Sequence, residues 1–353
     1  MSEPTAAARA LDADPDVDRR RRRAHRRAVV AFTEGLVLRA LYGATLVLVV
    51  IGAVAAAEVW LVDDRRFRDA WVWGLLPGGV ATIAIALLVG SAAFLAWAAL
   101  RGAGTWLLRG VRHRPLSPYD GERITNVVHA LSLGLGIQPP WVGVIDDPAP
   151  NAISARVRGA PVLLVTSGAL SGLPRDELEA MCAHELGHLH AADARLVAAA
   201  FMTLVRARNL SVIVGGLGFA VVGLGFEAGS LSVIVFGLTL AAVSFGARAL
   251  LDRPLLRLRR DTDDVADCVA VHLSRHPEAL ATLLSRLYHD HRRVATTSDR
   301  CEHLWFEVVT EGAPVPAGFQ PPQALLTESN RAGHAELARR WANAAATAAG
   351  ITR

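Results

Sequence analysis

The sequence contains no lysine, so all 37 basic residues among its 353 are arginines. Many of them stand in groups beside long apolar runs, as arginines that flank membrane spans do. A nucleic-acid-binding protein would carry basic residues interleaved with aromatic ones on a soluble fold, and that pattern is missing. We therefore expect no nucleic-acid partner and attribute the net charge of +4 to membrane topology.

Cysteine and charged residues are also scarce. The three cysteines, Cys182, Cys268 and Cys301, form no even disulfide framework and indicate a reducing compartment. Charged residues make up only 20% of the chain and hydrophobic ones 52%, which is too apolar for an ordinary soluble domain of this length. The composition therefore predicts an integral membrane protein, with the lipid bilayer as a partner.

Four apolar runs are expected to cross the bilayer as helices. They cover residues 41–62, 71–100, 210–226 and 231–247 and pair into two hairpins. The predicted segments are a disordered basic tail over residues 1–35, a first hairpin over 36–100, a soluble part over 101–209, a second hairpin over 210–250 and a soluble part over 251–353.

The arginines predict the orientation of both hairpins. Basic groups over residues 19–27 and 101–114 flank the first hairpin, and Arg206, Arg208 and Arg248 are among those that flank the second. Because such residues stay on the cytoplasmic side, both hairpins should begin and end in the cytosol. We expect a multi-pass protein of the cytoplasmic (inner) membrane whose soluble parts share the cytosolic face.

The soluble parts carry signals for several helices and two strands. Strands are predicted over residues 141–145 and 161–166, which are short and rich in valine and leucine. Helices are predicted over residues 122–133, 263–274, from Pro277 onward and over 335–348, with a proline-rich loop over 312–322. The fold class is therefore mainly α (α+β), with four transmembrane helices and a small β-sheet.

The stretch His184-Glu185-Leu186-Gly187-His188 has the histidine spacing of a metal-binding helix. Pro174, Asp176 and Glu177 mark the start of that helix, so the two histidines stand one turn apart on one face. A zinc ion bound there would lower the pKa of a water toward ~7, and Glu185 would take its proton during peptide hydrolysis. The alternative is an ordinary polar helix face.

A catalytic zinc ion needs a third protein ligand, and the candidates lie in the acidic stretch over residues 261–267. Asp263 and Asp267 share a helix face, so one could bind zinc while the other holds a histidine ring by a hydrogen bond. An acidic helix start that merely complements the helix dipole is the alternative, and spacing leaves both open.

The remaining candidate groups are expected to be structural. His190 is rotated about 200° from His188 on the helix and cannot share its metal ion. Cys182 is expected to be a small buried residue rather than a reactive thiol. Polar surface or packing roles are expected for His272, His289 and His303.

With these motifs the chain resembles the HtpX-like family of integral membrane zinc peptidases, relatives of the CAAX prenyl proteases. The resemblance covers roughly residues 36–345 and includes the order of spans, with two before the catalytic part and two between the zinc helix and the third ligand. The segments that carry it are Pro150-Asn151-Ala152, Val165-Thr166-Ser167-Gly168, Asp176-Glu177-Leu178-Glu179-Ala180, His184-Glu185-Leu186-Gly187-His188 with Asp193, Asp263-Asp264-Val265-Ala266-Asp267 and Pro277-Glu278-Ala279-Leu280.

The resemblance implies a zincin-like catalytic domain in the cytoplasm. In it His184, His188 and Asp263 bind Zn2+, and Glu185 is the general base. Asp263 stands where the family has glutamate and is one methylene shorter. Asp267 and Asp193 are expected to support the metal ligands. The family's Thr-His-Pro histidine, which assists the transition state, has His334 as its candidate here.

The expected function is a membrane-embedded zinc endopeptidase in membrane-protein quality control, acting on peptides or membrane proteins. Residues 161–166 are the predicted edge along which an extended substrate adds as a further strand. The substrate-binding candidates are Asn151, Ala152, Leu163, Leu164 and Val165. The alternatives are a catalytically degenerate scaffold or sensor and a signalling protease with one regulator as substrate. The sequence does not indicate an oligomeric state.

Overall fold

The computed structural model describes residues 5–61, 79–191, 194–290, 292, 294–295 and 306. Their secondary structure is mainly helical with one small mixed sheet, which confirms the predicted fold class. The chain divides into two compact units. We call Met1–Val29, Gly102–Ala198 and Leu255–Arg353 the sheet unit, and Val30–Arg101 with Ala199–Pro254 the helical unit.

The N-terminal residues form two helices, α1 (Ala6–Ala13) and α2 (Pro15–Leu61). The prediction of a disordered tail is therefore wrong for the described residues. In this charged segment, acids and arginines stand three or four residues apart. Opposite charges at that spacing stabilise a helix. Asp16, in the first turn of α2, accepts a hydrogen bond from Arg20 Nε at 2.8 Å.

The next elements are α3 (Gly79–Leu108), a two-residue strand β1 (Arg114–Pro115) and α4 (Pro118–Leu135). The predicted helix over residues 122–133 lies within α4. A capping box explains its earlier start, because the Ser117 hydroxyl accepts from Asp120 N and the Asp120 carboxylate accepts from Ser117 N.

The sheet contains β1, β2 (Trp141–Ile145), β3 (Ala152–Val157) and β4 (Ala160–Thr166) in the order β1-β2-β4-β3. The two predicted strands correspond to β2 and β4, which pair in parallel. β1 and β3 were not predicted, and each pairs antiparallel with its neighbour. β4 is therefore a central strand, and β3 is an edge strand.

Helices α5 (Ser167–Gly172), α6 (Arg175–His190), α7 (Ala194–Glu227), α8 (Leu231–Ser274) and α9 (Pro277–His289) complete the described elements. The predicted helix over residues 263–274 is the last part of the 44-residue α8, and α9 begins at Pro277 as predicted. The predicted helix over residues 335–348 and the loop over 312–322 lie outside the described residues.

The core of the sheet unit forms around α6. Leu178, Met181 and Leu186 of α6 are almost completely buried and belong to one apolar cluster with Ile124 of α4 and Leu284 of α9. Full burial of an aliphatic side chain of this size contributes about 1.5–3 kcal/mol. The helix that carries the histidine pair is thus fixed from several sides.

Among the residues that the structure describes, three helices are long and apolar enough to cross a membrane. They are found within Pro15–Leu46, Ala194–Glu227 and Val233–Ser274. The predicted run over residues 71–100 lies partly outside the described residues and partly in α3, and its crossing stays a prediction.

The helical unit exposes large apolar side chains on α7 and α8. Phe226 and Leu231 are each more than 70% exposed, which suits contact with lipid better than contact with water. Between the two helices the contact is close, because a Cβ atom added to Gly218 would lie 2.8 Å from the carbonyl oxygen of Gly237. Small residues at this position let the two backbones approach each other.

Candidate metal centre

Helix α6 holds the histidine pair on a fixed support. Asp176 and Glu177 lie in its first turn, where negative charge complements the positive end of the helix dipole. Arg286 of α9 donates to the Glu177 carboxylate from Nε at 2.6 Å and from Nη2 at 2.9 Å. This two-point contact fixes the first turn of α6 against α9.

His184, His188 and Asp263 bring three potential ligand atoms to one place. All three atoms lie within 4.8 Å of one another. The Nε2 atoms of His184 and His188 are 3.1 Å apart, and His188 Nε2 is 3.6 Å from Asp263 Oδ1. Ligands bonded tetrahedrally to an ion at about 2.0–2.2 Å stand about 3.3–3.6 Å from each other. The donor set could therefore hold one small divalent metal ion.

Asp267 orients the ring of His184. The two groups are 2.8 Å apart at His184 Nδ1 and Asp267 Oδ1, and the His184 side chain is completely buried. A proton on Nδ1 that is donated to this carboxylate leaves the Nε2 lone pair available to a metal ion. Asp267 is thus placed to fix the ring orientation of His184, one of the three potential metal ligands.

Arg259 orients the carboxylate of Asp263. It lies one turn earlier on α8, and its Nε donates to Asp263 Oδ2 at 3.3 Å, while Asp263 Oδ1 faces His188. Both side chains are largely buried. The sequence reasoning missed Arg259, although its spacing of four residues from Asp263 was a usable signal.

Phe306 packs against His184 from a distant part of the sequence. The ring centroids are 4.7 Å apart in an edge-to-face arrangement, and the Phe306 backbone N–H donates to Ala152 O at 2.9 Å. The Phe306 side chain is 1% exposed. Nothing in the local sequence pattern pointed to this contact.

Gly187 lets α6 approach α8. A Cβ atom at this position would lie 3.1 Å from both Ala266 Cα and Val269 Cβ. These separations are tighter than ordinary van der Waals contact, so a larger side chain would push the helices apart. The glycine between the two histidines thus permits the distance at which Asp263 and Asp267 reach them.

Glu185 lies beside the histidine pair, and its side chain is almost completely buried. Its backbone carbonyl accepts a hydrogen bond from the Ser154 hydroxyl at 3.0 Å. This contact ties the edge strand β3 to α6. The helix turn that carries the histidine pair is thus joined to the strand edge through its backbone.

The prediction that residues 161–166 form the substrate-accepting edge is wrong. β4 pairs with β2 on one side and with β3 on the other, so its backbone groups are already used. The side chains of Leu163, Leu164 and Val165 are completely buried. Strand order depends on the tertiary fold, and the hydrophobic pattern of one strand does not reveal it.

Asn151 and Ala152 form the buried entry to β3. Asn151 N donates to the Thr166 hydroxyl, and Ala152 N donates to Asn151 Oδ1, each at 2.9 Å. Asn151 thus holds the start of the edge strand in place. Neither side chain is exposed enough to meet a substrate directly.

The other candidate residues lie away from the histidine pair or outside the described residues. His190 lies 4.0 Å from Asp12 of α1, and His272 lies 3.5 Å from Asp14. Burial raises the pKa of the Cys182 thiol, and the Glu185 and Glu179 charges raise it further. The candidates outside the described residues are Asp193, Cys301, His303 and His334.

A cavity of about 690 Å3 adjoins the histidine pair. His188 and Asp263 line it together with Ser154 and Arg156 of β3 and several residues of α2. Two of the three potential metal ligands, His188 and Asp263, are therefore accessible from a space large enough for several peptide residues.

Residues 119–327 match the sequence model of Peptidase family M48. The chain belongs to this family. The matched region contains all three potential metal ligands, Glu185 and Asp267. With its membrane-length helices, the chain is a membrane metallopeptidase, and the HtpX-like resemblance is confirmed.

Curated relatives carry the name Protease HtpX homolog. The one from Tropheryma whipplei (strain Twist) is 30% identical over 207 residues, which are 58% of this chain and 68% of the relative. The one from Dictyoglomus thermophilum is 32% identical over 165 residues, or 46% of this chain and 53% of the relative. The one from Listeria monocytogenes serotype 4a is 31% identical over 192 residues, or 51% and 62%. No solved structure matches significantly.

Proposed function

We propose that the chain is a zinc endopeptidase in which His184, His188 and Asp263 hold the ion and Glu185 is the general base. The observation that carries the proposal is the convergence of two imidazole nitrogens and a carboxylate oxygen within 4.8 Å. Two nitrogens and one oxygen are a ligand set that zinc accepts, with a fourth position left open for reaction. The shorter side chain of Asp263 still brings Oδ1 to 3.6 Å from His188 Nε2.

A bound zinc ion supplies Lewis-acid activation of water and of the peptide carbonyl. The chain's own residues supply the proton transfers and the orientation. Glu185 takes a proton from the attacking water and delivers it to the leaving amine nitrogen. Burial of the Glu185 side chain keeps bulk water away from this transfer.

The edge strand β3 is the proposed substrate-binding element, in place of β4. Thr166 N donates to Asn151 O, so the backbone groups of Ala152, Ser154 and Arg156 point away from β4. Ala152 O already accepts from Phe306 N, and Gly104 of α3 lies against Arg156 O, so the proposed backbone contact with a peptide is at Ser154. Ser154 and Arg156 of this set line the cavity with His188. A peptide that adds along β3 would place one of its carbonyl groups beside the metal centre.

We further propose that the catalytic part faces the cytoplasm and that the enzyme acts in quality control of proteins of the inner membrane. The arginines that flank the apolar parts of α7 and α8 support the orientation. A reporter that is active only outside the cytoplasm, fused in the turn between these helices, should be active. The same reporter fused after residue 290 should be inactive, and the reverse result would exclude this orientation.

Glu185→Gln tests the proposed chemistry most sharply. Glutamine keeps the size of the side chain but cannot accept the water's proton. The purified full-length variant should retain its zinc and lose cleavage of an unfolded substrate such as casein. The matched control is Glu179→Gln, which changes a carboxylate on the same helix away from the metal ligands. Undiminished cleavage by Glu185→Gln would exclude the proposed general base.

The rival function is a non-catalytic scaffold of the same family, and the aspartate in place of the family's glutamate motivates it. The two functions differ in metal content. An enzyme should bind about one zinc ion per chain, lost in His184→Ala, whereas a scaffold without a working site should bind none.

A further inference from the structure

Helix α2 places an arginine on its buried face. Val17, Ala24 and Ala28 are at most 8% exposed and mark the buried face of this part of α2. Arg21 lies four residues after Val17 and three before Ala24, so it shares this face. Its side chain is 27% exposed, compared with 70% for Arg19 on the same helix.

Arg21 lines the cavity that also contains His188 and Asp263. The lining is rich in positive charge. It includes Arg21, Arg22, Arg26 and Arg156, against only Asp12 and Asp263 as carboxylates. Asp263 belongs to the proposed metal ligands and Arg22 is paired with Asp18, so Asp12 is the one lining acid left beside Arg21, Arg26 and Arg156. The cavity therefore favours an anionic occupant.

The guanidinium of Arg21 is only partly used. Its Nη1 donates to Asp12 Oδ1 at 2.5 Å. Its Nη2 is buried and has no hydrogen-bond partner among the described residues. A guanidinium offers five N–H donors and can hold two carboxylates at once. Arg21 thus has N–H donors that its contact with Asp12 does not use.

We infer that Arg21 is a specificity-determining residue that binds an acidic side chain of the peptide substrate within the cavity that His188 and Asp263 also line. The inference rests on the proposed peptidase function and adds a substrate class to it. Peptides with glutamate or aspartate at the position that reaches Arg21 are preferred.

The test uses internally quenched peptides with blocked termini, so that no terminal carboxylate contributes. Pairs differ only by Glu or Gln at one position, and that position is moved along the peptide. For the zinc-loaded full chain in detergent, kcat/KM should be about tenfold higher for the Glu peptide at one position. Arg21→Gln should reduce this ratio to about one. Arg19→Gln, on the exposed side of α2, should leave the ratio unchanged.

A ratio near one in the wild type at every position, or a tenfold ratio that persists in Arg21→Gln, would overturn the inference. The ratio is informative because a merely structural role of Arg21 would lower both rates equally. Asp12→Asn is the second variant, and it should raise the ratio because it frees the Arg21 donors. A ratio that falls in Asp12→Asn would also contradict the inference.

Peptide binding separates this inference from the proposed function. Fluorescent versions of the same peptides can be bound to Glu185→Gln protein, in which cleavage is absent. The Glu peptide should bind about tenfold more tightly than the Gln peptide, and Arg21→Gln in that background should remove the difference. A wild-type protein that binds with this preference but cleaves nothing would refute the peptidase chemistry and keep the role of Arg21. Equal binding of both peptides would refute the role of Arg21 alone.

Discussion

The two halves of the metal centre differ in how firmly they are held. The closed half comprises His184, Asp267 and Phe306, and its histidine ring is completely buried. The open half comprises His188, Asp263 and Arg259; the His188 side chain is 27% exposed toward a cavity, while Asp263 and Arg259 are largely buried. The buried His184 ring is the fixed part of this site, and the exposed part of the His188 side chain adjoins the cavity.

Replacement of each histidine should show this difference most strongly. Both His184→Ala and His188→Ala should lose the metal ion. In the metal-free state, His184→Ala should be destabilised by about 2–4 kcal/mol, because it opens a cavity and leaves the Asp267 carboxylate without its imidazole. His188→Ala should cost less than about 1 kcal/mol, since its ring is partly exposed.

Thermal unfolding of the chelator-treated proteins in detergent measures both effects. Wild-type protein with and without chelator is the reference. An equal loss of stability in the two variants would remove the distinction between the closed and the open half.

Asp267→Ala should weaken metal binding without abolishing it. Removal of a carboxylate that orients a ligand histidine lowers metal affinity about 10- to 100-fold. Competition with a zinc chelator gives the affinity directly. Asp264→Ala, on the same helix, is the matched control and should bind as the wild type does. Wild-type affinity in Asp267→Ala would mean that the core alone holds the His184 ring.

Arg259→Gln should have the smallest effect. The contact with Asp263 is 3.3 Å long, so its loss should lower metal affinity by up to about tenfold. The same chelator competition measures it, with Arg257→Gln on the exposed side of α8 as the control. A decrease in both variants would point to the general charge of this helix rather than to orientation of Asp263.

The local geometry of the site could be predicted from sequence spacing. His184 and His188 are four residues apart on one helix, and Asp263 and Asp267 repeat that spacing on another. A helix fixes such pairs by its own periodicity. The predicted strands β2 and β4 were likewise recognisable from their short apolar runs.

The long-range geometry could not be predicted in the same way. The sequence of β4 does not show that β3 pairs on its far side, so the predicted substrate edge is wrong. Phe306 reaches His184 through the tertiary fold alone. The charged residues of α2 suggested a solvated tail because their pairing along the helix, and the burial of Ala24 and Ala28, appear only after packing.

The central claim is that Asp263 completes a metal centre with His184 and His188, and metal content tests it most directly. Zinc per chain should be measured in detergent-purified wild type, Asp263→Ala and Asp264→Ala. We predict about one ion in the wild type and in Asp264→Ala, and almost none in Asp263→Ala. Zinc retained at the wild-type level in Asp263→Ala, or absent from the wild type, would contradict this account.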